Sequence, residues 1–97
     1  MAKRVVWSEH ALADRISILD YWSKRLGNKN YSRKLDRLIR KIVSLLRKFP
    51  NLGHAIGERE IKVLVKSHYH IYYKCTDNDI QILHLWDSRR NPEDLNV

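Results

Sequence analysis

The sequence predicts an α+β domain in the order β-α-α-β-β-β, with a two-helix hairpin packed on one face of a mainly antiparallel sheet and a short helix at the C-terminus. Three observations carry this prediction. Two segments show apolar residues at helical spacing and are joined by a turn too short to do anything but reverse the chain. Three later segments are short, β-branched or aromatic, and alternate with period two. Before the first helical segment stands Lys3 to Trp7, KRVVW, a short β-branched run that suits a strand.

Each element has its own start and stop. Ser8 follows the first strand and has the right chemistry for a helix N-cap, with Glu9 in the first turn. Leu12, Ile16, Leu19, Trp22 and Leu26 step by four and three residues, the stacking of one helix face. Gly27 stands where a left-handed C-terminal residue is wanted, and Asn28 or Asn30 can cap the next helix. In that second helix, about 31 to 49, Leu35, Leu38, Ile39, Ile42, Leu45, Leu46 and Phe49 form the apolar band. Arg33, Lys34, Arg37, Arg40, Lys41, Arg47 and Lys48 form a basic stripe opposite, and Pro50 and Gly53 close the helix.

The strands follow at 58–66, 68–75 and 79–86, with the turn-rich TDND between the last two. Ile61, Val63 and Val65 are assigned with Tyr69, Ile71 and Tyr73 to the face under the helices. Lys62, Lys66, His68, His70, Tyr72 and Lys74 then fall on the opposite face, where Leu64, Leu83 or Leu85 can receive a partner's apolar anchors, subject to strand register. DIQILHLW is nearly continuous in apolar character, as a central strand is. After it, Asn91-Pro92-Glu93-Asp94 has the order of an N-cap, an N1 proline and an acidic first turn.

All 97 residues are expected to form a single domain, large enough to bury roughly 60–70% of its unfolded surface. The one cysteine, Cys75, excludes an intrachain disulfide and offers no Cys/His spacing for zinc. A cytoplasmic protein without metal or cofactor is expected. The basic N-terminus meets Glu9 and Asp14 before any apolar stretch, so neither signal peptide nor membrane span is expected. Nineteen Lys and Arg against eleven Asp and Glu leave a formal charge of +8, which favours a polyanionic partner such as nucleic acid, a ribonucleoprotein or an acidic protein.

The chain contains no Gly-rich phosphate loop, GxSxG or HExxH motif. The chemistry left open is metal-independent phosphodiester cleavage of RNA, with a histidine as acid or base and cations stabilising the phosphate. His70, Arg89 and Lys66 are the catalytic candidates under that reading. Arg59, His68, Tyr72, Trp86, Asp87, Arg89 and Arg90 are the candidates for binding a target or nucleic acid. Exposed sheet and helix faces also carry Lys and His for solubility alone.

The segments VVWSEHALADRISILDYW, LIRKIVSLLRKFPNLGHAIG, REIKVLVKSHYHIYYK and ILHLWDSRRNP, in this order, resemble the RelE/ParE toxin superfamily, closer to its ParE-like branch. The resemblance implies a growth-inhibiting toxin of a type II toxin–antitoxin pair, in the class of plasmid-stabilising systems. It also implies neutralisation by a cognate antitoxin, whose C-terminal segment wraps the hairpin and sheet in a hetero-oligomer. One branch of the superfamily inhibits DNA gyrase, and the other cleaves mRNA on the ribosome. The nuclease pattern carries a Tyr-Arg pair on the third strand and a tyrosine near the C-terminus; this chain has Tyr69-His70 and Leu95, and closes with DLNV rather than a His-Tyr pair. Arg89 matches an arginine that the nucleases use. In the ParE-like pattern a histidine often precedes the arginines, where this chain has Asp87. Gyrase inhibition without catalysis is therefore the expected activity, with ribosome-dependent mRNA cleavage as the alternative.

Overall fold

The computed structural model describes residues 3–57 and 60–89. Strand β1 (Arg4–Trp7) leads into helix α1 (Glu9–Leu26) and helix α2 (Asn30–Lys48). Strands β2 (His54–Ile56), β3 (Ile61–Lys66), β4 (Tyr69–Cys75) and β5 (Asp79–Asp87) follow. The sheet order is β1-β5-β4-β3-β2. β1 pairs parallel with β5, and every other pairing is antiparallel. The predicted α+β order holds, with one extra three-residue strand, β2, added at the sheet's edge by the segment after Gly53. The C-terminal helix expected at 91–94 lies outside the described residues.

The α1 caps are those their residue types suit, whereas α2 begins after Lys29, which makes no side-chain capping bond, rather than at an Asn28 or Asn30 cap. The Ser8 hydroxyl accepts from the Ala11 amide at 3.0 Å, and Gly27 adopts φ +74°, the left-handed conformation that ends helices. Asn28 accepts from the Asn30 amide at 3.0 Å at the entry to α2. The core joins Ala11 and Ile18 of α1, Leu35, Ile39, Ile42, Val43 and Leu46 of α2, and the inner side chains of β4 and β5.

Three face assignments change. Cross-strand partners share a face, and β3 pairs Lys62 with Tyr73, Leu64 with Ile71 and Lys66 with Tyr69. Ile61, Val63 and Val65 thus share the outer face with Lys74, Tyr72 and His70, while Leu64 packs on the core. Leu85 is also buried, so neither leucine is available as an outer anchor site. The register is shifted by one residue from the expected one because both faces of β3 carry apolar side chains. On α1, Leu12, Ile16 and Leu26 are exposed, Ile16 at 68%. The sheet-facing side uses Ala11, Ile18 and Trp22, along with polar residues that find partners there. On α2, Leu45 and Phe49 are exposed and Val43 takes a buried place.

The FPNLG turn is built around one phenol. Tyr73 donates its hydroxyl to the Pro50 carbonyl at 2.8 Å and accepts from the Gly53 amide at 2.8 Å. A Cβ at Gly53 would meet the Tyr73 hydroxyl at 2.7 Å and the Val63 carbonyl at 2.8 Å. Gly53→Ala is therefore expected to destabilise the fold by about 1–3 kcal/mol through overpacking, read as a lower urea midpoint at unchanged m-value.

Candidate functional site

Beyond Trp7, β5 runs on without β1 beside it, and the start of α1 takes over its edge. The Ser8 amide donates to the Ile82 carbonyl at 2.9 Å, and the Ser8 hydroxyl to the Leu83 carbonyl at 3.1 Å. The Asp14 carboxylate accepts from the Leu85 amide at 3.1 Å. A β-bulge beside Tyr72 and Tyr73 re-phases the strand, so that Tyr72 pairs with His84 and Tyr73 with Ile82. Leu85 and Asp87 then point under the helices.

Asp87 is completely buried. Such a carboxylate requires donors, and it has them from two directions. The Trp22 indole donates at 2.7 Å, while the Arg89 amide donates at 2.9 Å and its guanidinium at 3.3 Å. Arg89 in turn donates to the Tyr69 hydroxyl and lies over three rings, 4.4 Å from the Trp22 centroid and 5.3 Å from those of Tyr31 and Tyr69. The Tyr31 and Tyr69 hydroxyls are 3.2 Å apart. The side chain of Arg89 is 27% exposed, so the guanidinium reaches solvent at one rim of an aromatic box. Burial is the largest single influence and works against its charge, but Asp87, Tyr31 and Tyr69 together outweigh it and raise its pKa. Burial, the bond to Tyr31 and the charge of Asp87 also push the Tyr69 phenol well above its usual range, with Arg89 opposing.

Among the described residues, those predicted for the site do not gather at one point. His70 lies on the outer face, its ring 4.8 Å from that of Trp86, whose indole nitrogen is buried without a hydrogen-bond partner. Tyr72 shares that face, 5.6 Å from the His84 ring. Lys66, by its pairing with Tyr69, belongs to the opposite face, on the same side as Arg89. His68 is exposed in the β3–β4 turn, and its carbonyl accepts from the Ser88 amide at 2.7 Å. Asp87, expected at a binding rim, presents no surface and instead holds Arg89. Arg59 and Arg90 lie outside the described residues. Sequence reasoning missed Trp22, Tyr31 and Tyr69 as partners of Arg89. The available signal was an acid at the end of an apolar strand, which must find an N–H donor and a cation if it is buried.

A second surface lies between the helices. A groove of about 530 Å³ has Ile16 and Leu19 on its floor and Arg33, Arg37 and Arg40 along its rim. Of its two acidic members, Asp36 is bridged by Arg15 at 2.5 Å and Arg40 at 3.1 Å, and Asp20 by Lys24 at 3.0 Å. Among the described residues, no helix is long and apolar enough to cross a membrane.

The same fold is found in chains of two toxin–antitoxin systems. A chain of the chromosomal ParDE system from P. aeruginosa superposes with a TM-score of 0.74 at 19% identity, covering 89% of this chain and 96% of that one. A chain of the RelBE2 toxin–antitoxin complex from Mycobacterium tuberculosis gives 0.68 at 14% identity, covering 90% and 99%. No curated protein matches the sequence. The family model for the ParE toxin of the type II toxin–antitoxin system parDE matches residues 5–92, and the chain belongs to that family.

Two outcomes are expected at the buried pair. Asp87→Ala leaves the Trp22 indole and a largely enclosed guanidinium without their acceptor, and should cost about 3 kcal/mol in urea unfolding, with a change in tryptophan emission. The Tyr69 pKa is raised above its unfolded value of 10.0. Its contribution is therefore fully present below pH 10 and is lost as pH rises beyond it, by up to ~1.4 kcal/mol per pH unit. Tyr69→Phe should flatten the alkaline fall in stability. Part of the fall should persist, because burial also raises the Tyr73 phenol.

Proposed function

We propose that this ParE-family toxin inhibits DNA gyrase by binding rather than by catalysis, and that a cognate antitoxin neutralises it. The observation that carries the non-catalytic reading is the separation of the nuclease candidates. His70 and Lys66 belong to opposite faces of the sheet, and Arg89 is tied to Asp87 and Tyr69. A general acid or base must lie within hydrogen-bond reach of the same phosphate that the cations stabilise, and this arrangement does not offer it. The family assignment and the likeness to a chain of a ParDE system support the target class.

The antitoxin reading is supported by the likeness to chains of two toxin–antitoxin systems and by the inter-helix groove. An apolar floor edged by arginines fits an amphipathic acidic segment, which buries its apolar side chains and pairs its carboxylates at the rim. The RelBE2 likeness keeps mRNA cleavage as the competing outcome.

Purified toxin is expected to block gyrase supercoiling of relaxed plasmid, and an acidic antitoxin encoded beside it should restore supercoiling. Ile16→Asp should weaken antitoxin binding at least tenfold, because it places a charge on the apolar floor. Undiminished supercoiling at saturating toxin, together with cleavage of translated mRNA at ribosomal A-site codons, would reject the gyrase reading in favour of the nuclease.

A further inference from the structure

The first turns of α1 and the bulge of β5 bring together His10, Asp14 and His84, three residues that the toxin reading does not use. His10 and Asp14 are four residues apart on one helix face, and His84 reaches them from the part of β5 that has passed the end of β1. Asp14 Oδ2 lies 3.6 Å from His10 Nε2 and 2.6 Å from His84 Nδ1. All three donor atoms fall within 4.8 Å of one another. The two imidazoles are stacked, 4.8 Å between centroids and 28° between planes.

Two features leave this cluster suited to a shared ligand. His84 Nδ1 is buried and makes no hydrogen bond of acceptable geometry, although Asp14 is near; the contact is close but misaligned. The same Asp14 Oδ2 also accepts from the Leu85 amide at 3.1 Å, a bond that orients the carboxylate. A tetrahedral zinc ion with bonds of about 2.0–2.1 Å separates its ligand atoms by roughly 3.3 Å. That value lies within the observed spread, so small side-chain rotations suffice.

We propose that His10, Asp14 and His84 form a binding site for a divalent transition metal, with Zn²⁺ as its natural probe and water in the remaining position. Two imidazoles and one carboxylate suit zinc, cobalt or nickel, whereas magnesium and calcium require more oxygen ligands. The ion joins the first turns of α1 to β5 at the place where Ser8 and Asp14 already complete the strand's edge. Its binding therefore stabilises the folded chain. The absence of cysteine spacing led the sequence reading to expect no metal, because His84 comes from a strand distant in sequence from the other two ligands.

The test uses untagged, EDTA-treated, full-length toxin, titrated with Zn²⁺ by calorimetry and with Co²⁺ by visible absorption. One equivalent should bind, Zn²⁺ should raise the melting temperature, and Mg²⁺ at the same concentration should do neither. His10→Ala and Asp14→Asn should each weaken Zn²⁺ binding by at least about tenfold, and His54→Ala, on the distant edge strand, should not. Asp14→Asn keeps an oxygen for the Leu85 amide, so its effect is separable from loss of fold by the circular dichroism of the metal-free protein. Absence of stoichiometric binding, an equal response to Mg²⁺, or an equal loss in His54→Ala would overturn the site.

Discussion

A carboxylate with no access to water, Asp87, is the constraint on which the candidate site of this fold depends. A buried charge is tolerated only when its partners are in place, and these partners come from separate parts of the chain. Trp22 belongs to the last third of α1, and Arg89 follows β5. Through Arg89 the constraint extends to Tyr69 on β4, and through Tyr69 to Tyr31 on α2. Satisfying one acid therefore sets the relative positions of both helices and strands β4 and β5. It also decides what Arg89 can do: with one side against a carboxylate and its faces against three rings, it is a held cation with one solvent-facing rim.

The second organising feature is the length of β5. It has nine residues against four in β1, so more than half of its edge would be left with open backbone groups. An unpaired edge is a site for unwanted strand addition, and here α1 closes it with Ser8 and Asp14 rather than with another strand. This explains why α1 must start immediately after β1. It also explains why Asp14 and Arg15 can occupy inward positions of a helix: one satisfies the Leu85 amide, and the other bridges to Asp36 while its guanidinium lies 5.0 Å from the Trp7 ring centroid.

Those inward polar residues mark where the sequence was legible and where it was not. The α1 caps Ser8 and Gly27, the stripe of α2 through Leu35, Ile39, Ile42 and Leu46, and the alternation of β4 could be read directly, because each depends on local periodicity or on a single cap residue. The α1 stripe misled because its sheet-facing side contains Asp14 and Arg15, whose partners lie far along the chain, while Leu12 and Ile16 face the other way. The β3 register misled because Ile61, Val63 and Val65 on one face and Leu64 on the other are all apolar, and pattern alone does not separate a sheet's two sides in that case. For the site, the family resemblance pointed to Arg89. The tyrosines and tryptophan that enclose it could be found only once α1, α2 and β4 were brought together.

The same geometry separates the protein's net charge from its buried site. A phosphodiester catalyst needs cations and a proton-transfer group aimed at one point. Here Arg89 is paired inside an aromatic box, the catalytic candidate His70 is on the outer face, and much of the basic charge lies on α2. Arg33, Arg37 and Arg40 border an apolar groove, an arrangement that steers and orients an acidic chain more readily than it activates a bond. With Asp36 bridged by two arginines and Asp20 by Lys24, this rim keeps an excess of positive charge, and the proposed acidic antitoxin segment would neutralise that charge and cover Ile16 at once.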